Sequence, residues 1–338
     1  MSNAPNERLE SEELEQRDMK KRSGNKSQAS PPRLSVVVVI LGGRSYLHRW
    51  LERFTGYEGK KDVEVLVPCD DCVSDLPSLQ REFPSVRFLH APGQHSYAQL
   101  RSLGVRQSRG AVVAITEDHC TPDPNWCARI LAEHQSRHAA IGGAIEKEEP
   151  DTILNWAIYL SDFSRYMNPV PEGPSHYLTD CNVSYKRTAL ESIADLWATE
   201  FHETSVNWTL ESRGESLWLS SSIPVLQQRS LRLGTALRER YAFGRLFAGT
   251  RVAHTTVVKR TMYAILSWML PALLVARVAK NVFDKRRHVG AFLRALPAIV
   301  LMAVIWSLGE FIGYITARPA TEEPAAEVSA QSGRRATA

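Results

Sequence analysis

The stretch that most limits the fold is 111–126, Ala-Val-Val-Ala-Ile-Thr-Glu-Asp-His-Cys-Thr-Pro-Asp-Pro-Asn-Trp. Ala111 to Ile115 read as a buried strand, which breaks into Glu117, Asp118 and His119 before a proline-punctuated turn. A short, wholly apolar run fits a sheet covered on both faces. In open α/β sheets, ligands gather beyond the carboxyl ends of the strands. Acidic side chains there can hold a hard cation, and the cation can hold a diphosphate. The plainer reading is a strand end and a turn, with Asp123 as a helix N-cap.

The preceding segments repeat the pattern. Leu34 to Leu41 is a β-branched apolar run closed by Gly42-Gly43, and Tyr46, Leu47, Trp50, Leu51 and Phe54 follow at helical spacing. Val63 to Val67 predicts a second strand, ending at Pro68-Cys69-Asp70-Asp71. Leu76 to Phe83 reads as a short helix, Val86 to Leu89 as a third strand and Tyr97 to Arg109 as a helix. This alternation predicts an α/β fold with a doubly wound, mostly parallel sheet. Asp70/Asp71 and Glu117/Asp118 then share one edge of it.

With 338 residues and 43% hydrophobic content, the chain can form a large domain plus an appendage. A net charge of +4, spread along the chain, gives no nucleic-acid stripe. Five cysteines, without a signal peptide, predict reduced thiols. Zinc held by Cys69, Cys72, Cys120 and Cys127 is the lesser alternative, because the second pair is spaced too widely for a knuckle. Residues 1–32 are polar, lack an apolar core and predict a disordered tail, leaving the domain at 33–230 in the cytosol.

Past Arg229 the character changes. Residues 231–260 predict a basic amphipathic helix, with Arg232, Arg238, Arg240, Arg245 and Arg251 among apolar residues. Residues 261–316 predict a membrane hairpin built from Thr261–Ala279 and Ala295–Ile315, since a span needs roughly 20 apolar residues. Glu310 is costly in lipid and belongs against another helix or at the interface. Basic residues flank both ends of the first segment, an awkward pattern for the positive-inside rule. Two spans are preferred over a shallow re-entrant hairpin. Residues 317–338 predict a second disordered tail.

Several of these pieces, in order, resemble the family 2 glycosyltransferases, which have a GT-A-type nucleotide-sugar fold. Ser35-Val-Val-Val-Val39 and Glu64-Val-Leu-Val-Pro-Cys-Asp-Asp71 look like its nucleotide-binding half. Arg101-Ser-Leu-Gly104 is similar to its Arg-Asn-x-Gly helix, and Thr116-Glu-Asp-His119 sits where members carry Asp-x-Asp. Asp180-Cys-Asn-Val-Ser-Tyr-Lys-Arg187 resembles the acceptor-side segment, and His202 to Leu210 the segment bearing the catalytic base. The resemblance covers about Leu34 to Arg251, and Trp306 to Gly313 resembles a tail of membrane-bound members. It departs where Pro-x-Tyr-Asn becomes Val39-Ile-Leu-Gly42, and the Gln-x-x-Arg-Trp signature of processive synthases is absent.

The resemblance implies an inverting, non-processive transferase that takes a nucleotide-sugar donor; with the apolar segments and the polar leading tail, the expectation is a membrane-anchored enzyme with a membrane-associated acceptor and its catalytic domain on the cytosolic side. It implies a divalent cation, Mn or Mg, held by Asp118 with help from Glu117 or His119. Donor contacts fall to Asp70, Asp71, Arg101 and Asp118, and acceptor contacts to Asn182 and Trp208. Glu203 is the base, with Asp195, Glu200 and Glu211 as rivals. Two other classes stay open: a non-catalytic glycosyltransferase-like membrane scaffold, and a membrane-bound nucleotidyltransferase with a similar strand-end metal site.

Overall fold

The computed structural model describes residues 31–57, 62–148, 151–252 and 255–316. The tails expected at 1–32 and 317–338 lie outside these residues, but for Pro31 and Pro32.

The first half alternates as its sequence predicts. The order is β1 (Leu34–Val39), α1 (Arg44–Thr55), β2 (Val63–Cys69), α2 (Leu76–Glu82), β3 (Val86–His90), α3 (Tyr97–Gln107) and β4 (Val112–Glu117). These four strands are parallel, in the order β3-β2-β1-β4. Leu47, Trp50, Leu51 and Phe54 bury the inner face of α1, each worth roughly 1.5–3 kcal/mol of transfer from water. Helix α3 lies so close to β1 that a Cβ at Gly104 would stand 2.4 Å from a Val37 methyl carbon. Ser96 caps α3 in a reciprocal capping box with Gln99.

The second half mixes directions. It contains β5 (Cys120–Pro122), α4 (Trp126–Glu133), β6 (Ala140–Lys147), α5 (Ile153–Phe163), β7 (Gly173–Pro174) and β8 (Asn182–Lys186). Short helices α6 (Arg187–Glu191) and α7 (Ala194–Trp197) follow, then α8 (Glu203–Ser212) and β9 (Leu217–Gln227). Strand β8 pairs antiparallel to β4, and the sheet continues through β6, β9 and β5. Only Asp118 and His119 separate β4 from β5, yet β5 pairs with β9. The sheet therefore curls, and its far edge returns to the carboxyl end of β4.

The chain closes with helices α9 (Leu233–Val252), α10 (Val257–Leu266), α11 (Leu270–Lys285) and α12 (Val289–Thr316). The continuous helical segments 257–285 and 289–316 are long and apolar enough to cross a membrane by length and composition, with mean hydropathies of 1.7 and 2.1. Their near ends are fastened to the sheet domain. Val278, Val282, Phe292, Ala295, Ile299 and Met302 join its core. Arg287 donates to Glu146 at 2.9 Å, and Lys285 donates to the carbonyl of Arg165 at 2.7 Å. Farther out, α9 and α12 run side by side through small residues. A Cβ at Gly244 would meet the Trp306 carbonyl at 2.2 Å, and one at Gly309 would meet the Tyr241 carbonyl at 2.3 Å. Glu310 is buried in this contact and accepts from Trp306 Nε1 at 2.6 Å and Tyr314 Oη at 3.2 Å.

Candidate functional site

Strands β1, β2 and β4 end on one edge, so their terminal loops converge. Asp118 follows β4 and is buried. Its carboxylate accepts from the backbone N–H groups of Leu41, Gly42 and Gly43 at 2.8–3.1 Å. Gly43 has φ +90°, a conformation that suits glycine in this turn. Asp118 thus holds the turn that starts α1, and both of its oxygens are engaged.

Glu117 and His119 do something different. Glu117 Oε1 accepts from Arg101 Nη2 at 2.9 Å, and Glu117 Oε2 lies 3.1 Å from the Cys181 thiol that donates to it and 3.4 Å from His119 Nε2. The same Arg101 nitrogen reaches Asp180 at 2.5 Å. Arg101 comes from α3, Glu117 from β4, and Asp180 and Cys181 from the loop entering β8. All four are largely shut off from solvent. Burial pushes Glu117 up, but His119 and Arg101 outweigh it and hold the carboxyl below its usual range. At Asp180 burial wins over Arg101, Glu203 adds its repulsion, and the carboxyl is held well above its usual range. Arg101 is therefore a clamp between two carboxylates in this state, not an exposed cation.

Three polar atoms near this cluster are buried without a hydrogen-bond partner: Tyr97 Oη, His119 Nδ1 and Arg229 Nε. Electrostatic coupling links Arg229 to Glu117 and to Tyr97. Its Nη2 donates to Glu239 of α9 at 2.8 Å. Buried orphaned groups of this kind are costly and ask for a ligand or ion. Among the described residues, the groups whose donor atoms come together for a metal are His119/Cys120/Cys181 and Glu117/Asp180/Cys181. The quartet Cys69, Cys72, Cys120 and Cys127 is not among them, and none of the five cysteines is in a disulfide. Glu117 Oε2 and His119 Nε2 lie side by side, a carboxylate oxygen and an imidazole nitrogen of the kind that hold a divalent cation, while His119 Nδ1 faces Asp118 Oδ1 at 3.8 Å.

The remaining residues named from the sequence are spread along this edge. Asp70 is buried and ties its own loop, accepting from the N–H groups of Cys72 and His95, both at 3.0 Å. Asp71 is exposed, with His90 at 2.8 Å and the N–H of Gly93 at 2.7 Å. Glu203 opens α8, half-buried, and accepts from Thr204 Oγ1 at 2.9 Å. Asn182 is buried, and its amide is spent on Trp126 Nε1 and the carbonyls of Ala144 and Ile223. Trp208 is partly exposed on α8.

Tyr97, Asp180, Arg229 and Glu239 escaped the sequence reading as site residues. Asp180 carried a signal, since it opens the Asp-Cys-Asn segment quoted above. Arg229 and Glu239 carried none, because a lone arginine and a helical glutamate look like solvated surface.

A curled, mostly parallel sheet with acidic strand ends at its carboxyl edge has the GT-A-type fold. Residues 35–194 match the model of the Glycosyl transferase family 2, and the chain carries a domain of that family, an enzyme domain. No curated protein sequence matches it significantly. A mannosyltransferase from Pyrobaculum calidifontis, solved with GDP-Man and Mn2+, shares the fold with a TM-score of 0.53 and 14% identity, over 88% of this chain and 94% of that one. S. aureus TarS 1–349, in complex with UDP-GlcNAc, aligns at a TM-score of 0.46 and 12% identity, over 84% of this chain and 90% of that one.

Proposed function

We propose that this protein is an inverting, non-processive glycosyltransferase that moves one sugar from a nucleotide-sugar donor to an acceptor held at a membrane. The observation that carries this reading is the Arg101–Glu117–Asp180 cluster at the strand edge, with His119 Nε2 3.4 Å from Glu117 beside it. Glu117 and His119 would hold a divalent cation, which neutralises the charge developing on the leaving diphosphate. Asp118 serves the same site indirectly, because its oxygens already hold the turn after β1.

The chain's own groups do the rest. Arg101 keeps Glu117 ionised and aimed. Asp70 and Asp71, in the loop after β2, present acceptors to the nucleoside. Glu203 takes the acceptor hydroxyl proton while that oxygen bonds to the anomeric carbon. The bond from that carbon to the phosphate oxygen breaks, and its electrons leave with the nucleoside diphosphate. Attack opposite the leaving group inverts the centre. Glu203 suits the role because it is half-buried and close enough to Asp180 to raise that carboxyl. Trp208 is exposed five residues after Glu203 on α8 and offers a stacking face to an acceptor.

The test is Glu203→Gln in the full chain, assayed against a panel of nucleotide sugars with and without manganese. Donor affinity should stay within about threefold, while transfer falls roughly a hundred- to ten-thousand-fold. Unchanged transfer would remove Glu203 from the role. Pyrophosphate release would point to nucleotidyl transfer, and donor binding without any turnover to a scaffold.

A further inference from the structure

We propose that the C-terminal helices lie in the plane of one anionic bilayer leaflet and do not cross the membrane. The register between α9 and α12 carries this. Gly244 meets the backbone at Trp306 and Glu310, Gly309 meets it at Tyr241, and Gly313 meets Ala248. Whatever depth 306–313 occupy in a membrane, 241–248 occupy as well. Helix α9 brings Arg238, Arg240, Arg245 and Arg251 along its length. Among the described residues only 257–285 and 289–316 are apolar enough to span. A perpendicular crossing carries Arg245 and Arg251 into hydrocarbon, where charge is expensive.

Lying flat avoids this. Val300, Leu301, Val304, Leu308 and Ile315 are exposed and share one face of α12. Positions 306, 309, 310 and 313, which meet α9, share another. At about 100° per residue the two faces point in opposite directions. Helix α10 lies beside α12, with Tyr263 5.7 Å from Tyr314 between ring centres. It adds exposed Val257, Val258, Met262 and Ile265. The exposed face of α12 is thus apolar, and the arginine-bearing helix covers the opposite face. Exposed Lys259 and Arg286 stand near the two ends of the 257–285 segment. An apolar face rimmed by cations fits acyl chains beneath anionic headgroups. Both basic flanks of 257–285 then stay on one side, as the positive-inside rule asks.

The inference deepens the membrane part of the function proposed above and is independent of its chemistry. An inactive chain that labels as described below fails only the transferase reading. The full chain, with Cys72 and Cys127 changed to serine, receives a single new cysteine by Gly290→Cys or Thr316→Cys. It is expressed in bacterial cells and treated with a membrane-impermeant maleimide before and after the cells are opened. Both positions should behave alike, shielded in intact cells and labelled in opened ones. Labelling of one in intact cells and the other only after opening would overturn the proposal. Purified full chain should also float about tenfold more strongly with phosphatidylcholine vesicles containing phosphatidylglycerol than with phosphatidylcholine alone. Equal flotation would overturn the anionic preference. Flotation with neither, together with a stable dimer in solution, would mean that a second copy covers the apolar face.

Discussion

Two regions of this molecule bury carboxylates, and they satisfy them over different ranges. At the sheet edge, Glu117 and Asp180 are joined by Arg101, so the partners come from three separate elements. In α12, Glu310 takes its partners from Trp306 and Tyr314, one turn before and one turn after it on the same helix. The first arrangement exists only when the sheet and its helices are assembled. The second exists wherever that helix forms, because residues four apart share a face. A site built from distant segments can hold charge poised for a ligand, while a local clasp only makes a carboxylate tolerable against its neighbours.

Breaking the long-range arrangement should cost most. Arg101→Ala leaves the buried Glu117 carboxylate without its guanidinium partner, a loss of about 3–5 kcal/mol. Thermal unfolding in detergent should show it, with donor binding lost in parallel. A midpoint near that of the parent would mean that the cluster relaxes into water and is not the clamp described here.

The sheet domain also carries a pH dependence. His134, which caps the end of α4, is buried with Nε2 2.9 Å from Ser184 Oγ, and burial, then Lys186, lowers its pKa to about 4. In the unfolded chain the ring titrates near 6.5, so the unfolded state takes up the proton first. Its contribution is complete above about pH 6.5 and is lost as the pH falls toward 4. The shift corresponds to at most about 3 kcal/mol. His134→Gln should flatten the stability profile between pH 7 and 5. Parallel profiles for parent and variant would refute the shift.

The helical region responds to shape. Gly309→Val forces a side chain against the Tyr241 carbonyl and should cost about 1–3 kcal/mol by overpacking. That loss should appear in detergent melting while donor affinity stays near the parent value. A fall in donor affinity as large as that of Arg101→Ala would erase the distinction between the regions.

The smallest effect belongs to the local clasp. Glu310→Gln keeps an acceptor for Trp306 and Tyr314, so about 1 kcal/mol is expected. A loss matching that of Arg101→Ala would show that Glu310 belongs to a wider network than its own helix.

The alternation of apolar runs with helical spacing determined the parallel half of the sheet, because period alone distinguishes the two structures there. It also put Asp70, Asp71, Glu117 and Asp118 on one edge, since parallel strands end together. The apolar composition of 261–279 and 295–315 was equally plain, and Glu310 was legible as a residue needing a helix neighbour or the interface. The sequence could not tell Asp118 from Glu117 and His119. Adjacent residues at a strand end turn to different sides, and only the packed turn after β1 decides that Asp118 holds backbone N–H groups. Nor could it pair Arg101 with Asp180 or bring Arg229 and Glu239 in from beyond β9. Those partners are chosen by the curl of the sheet and by burial, which fix distances between residues far apart in the chain, and no local period encodes such distances.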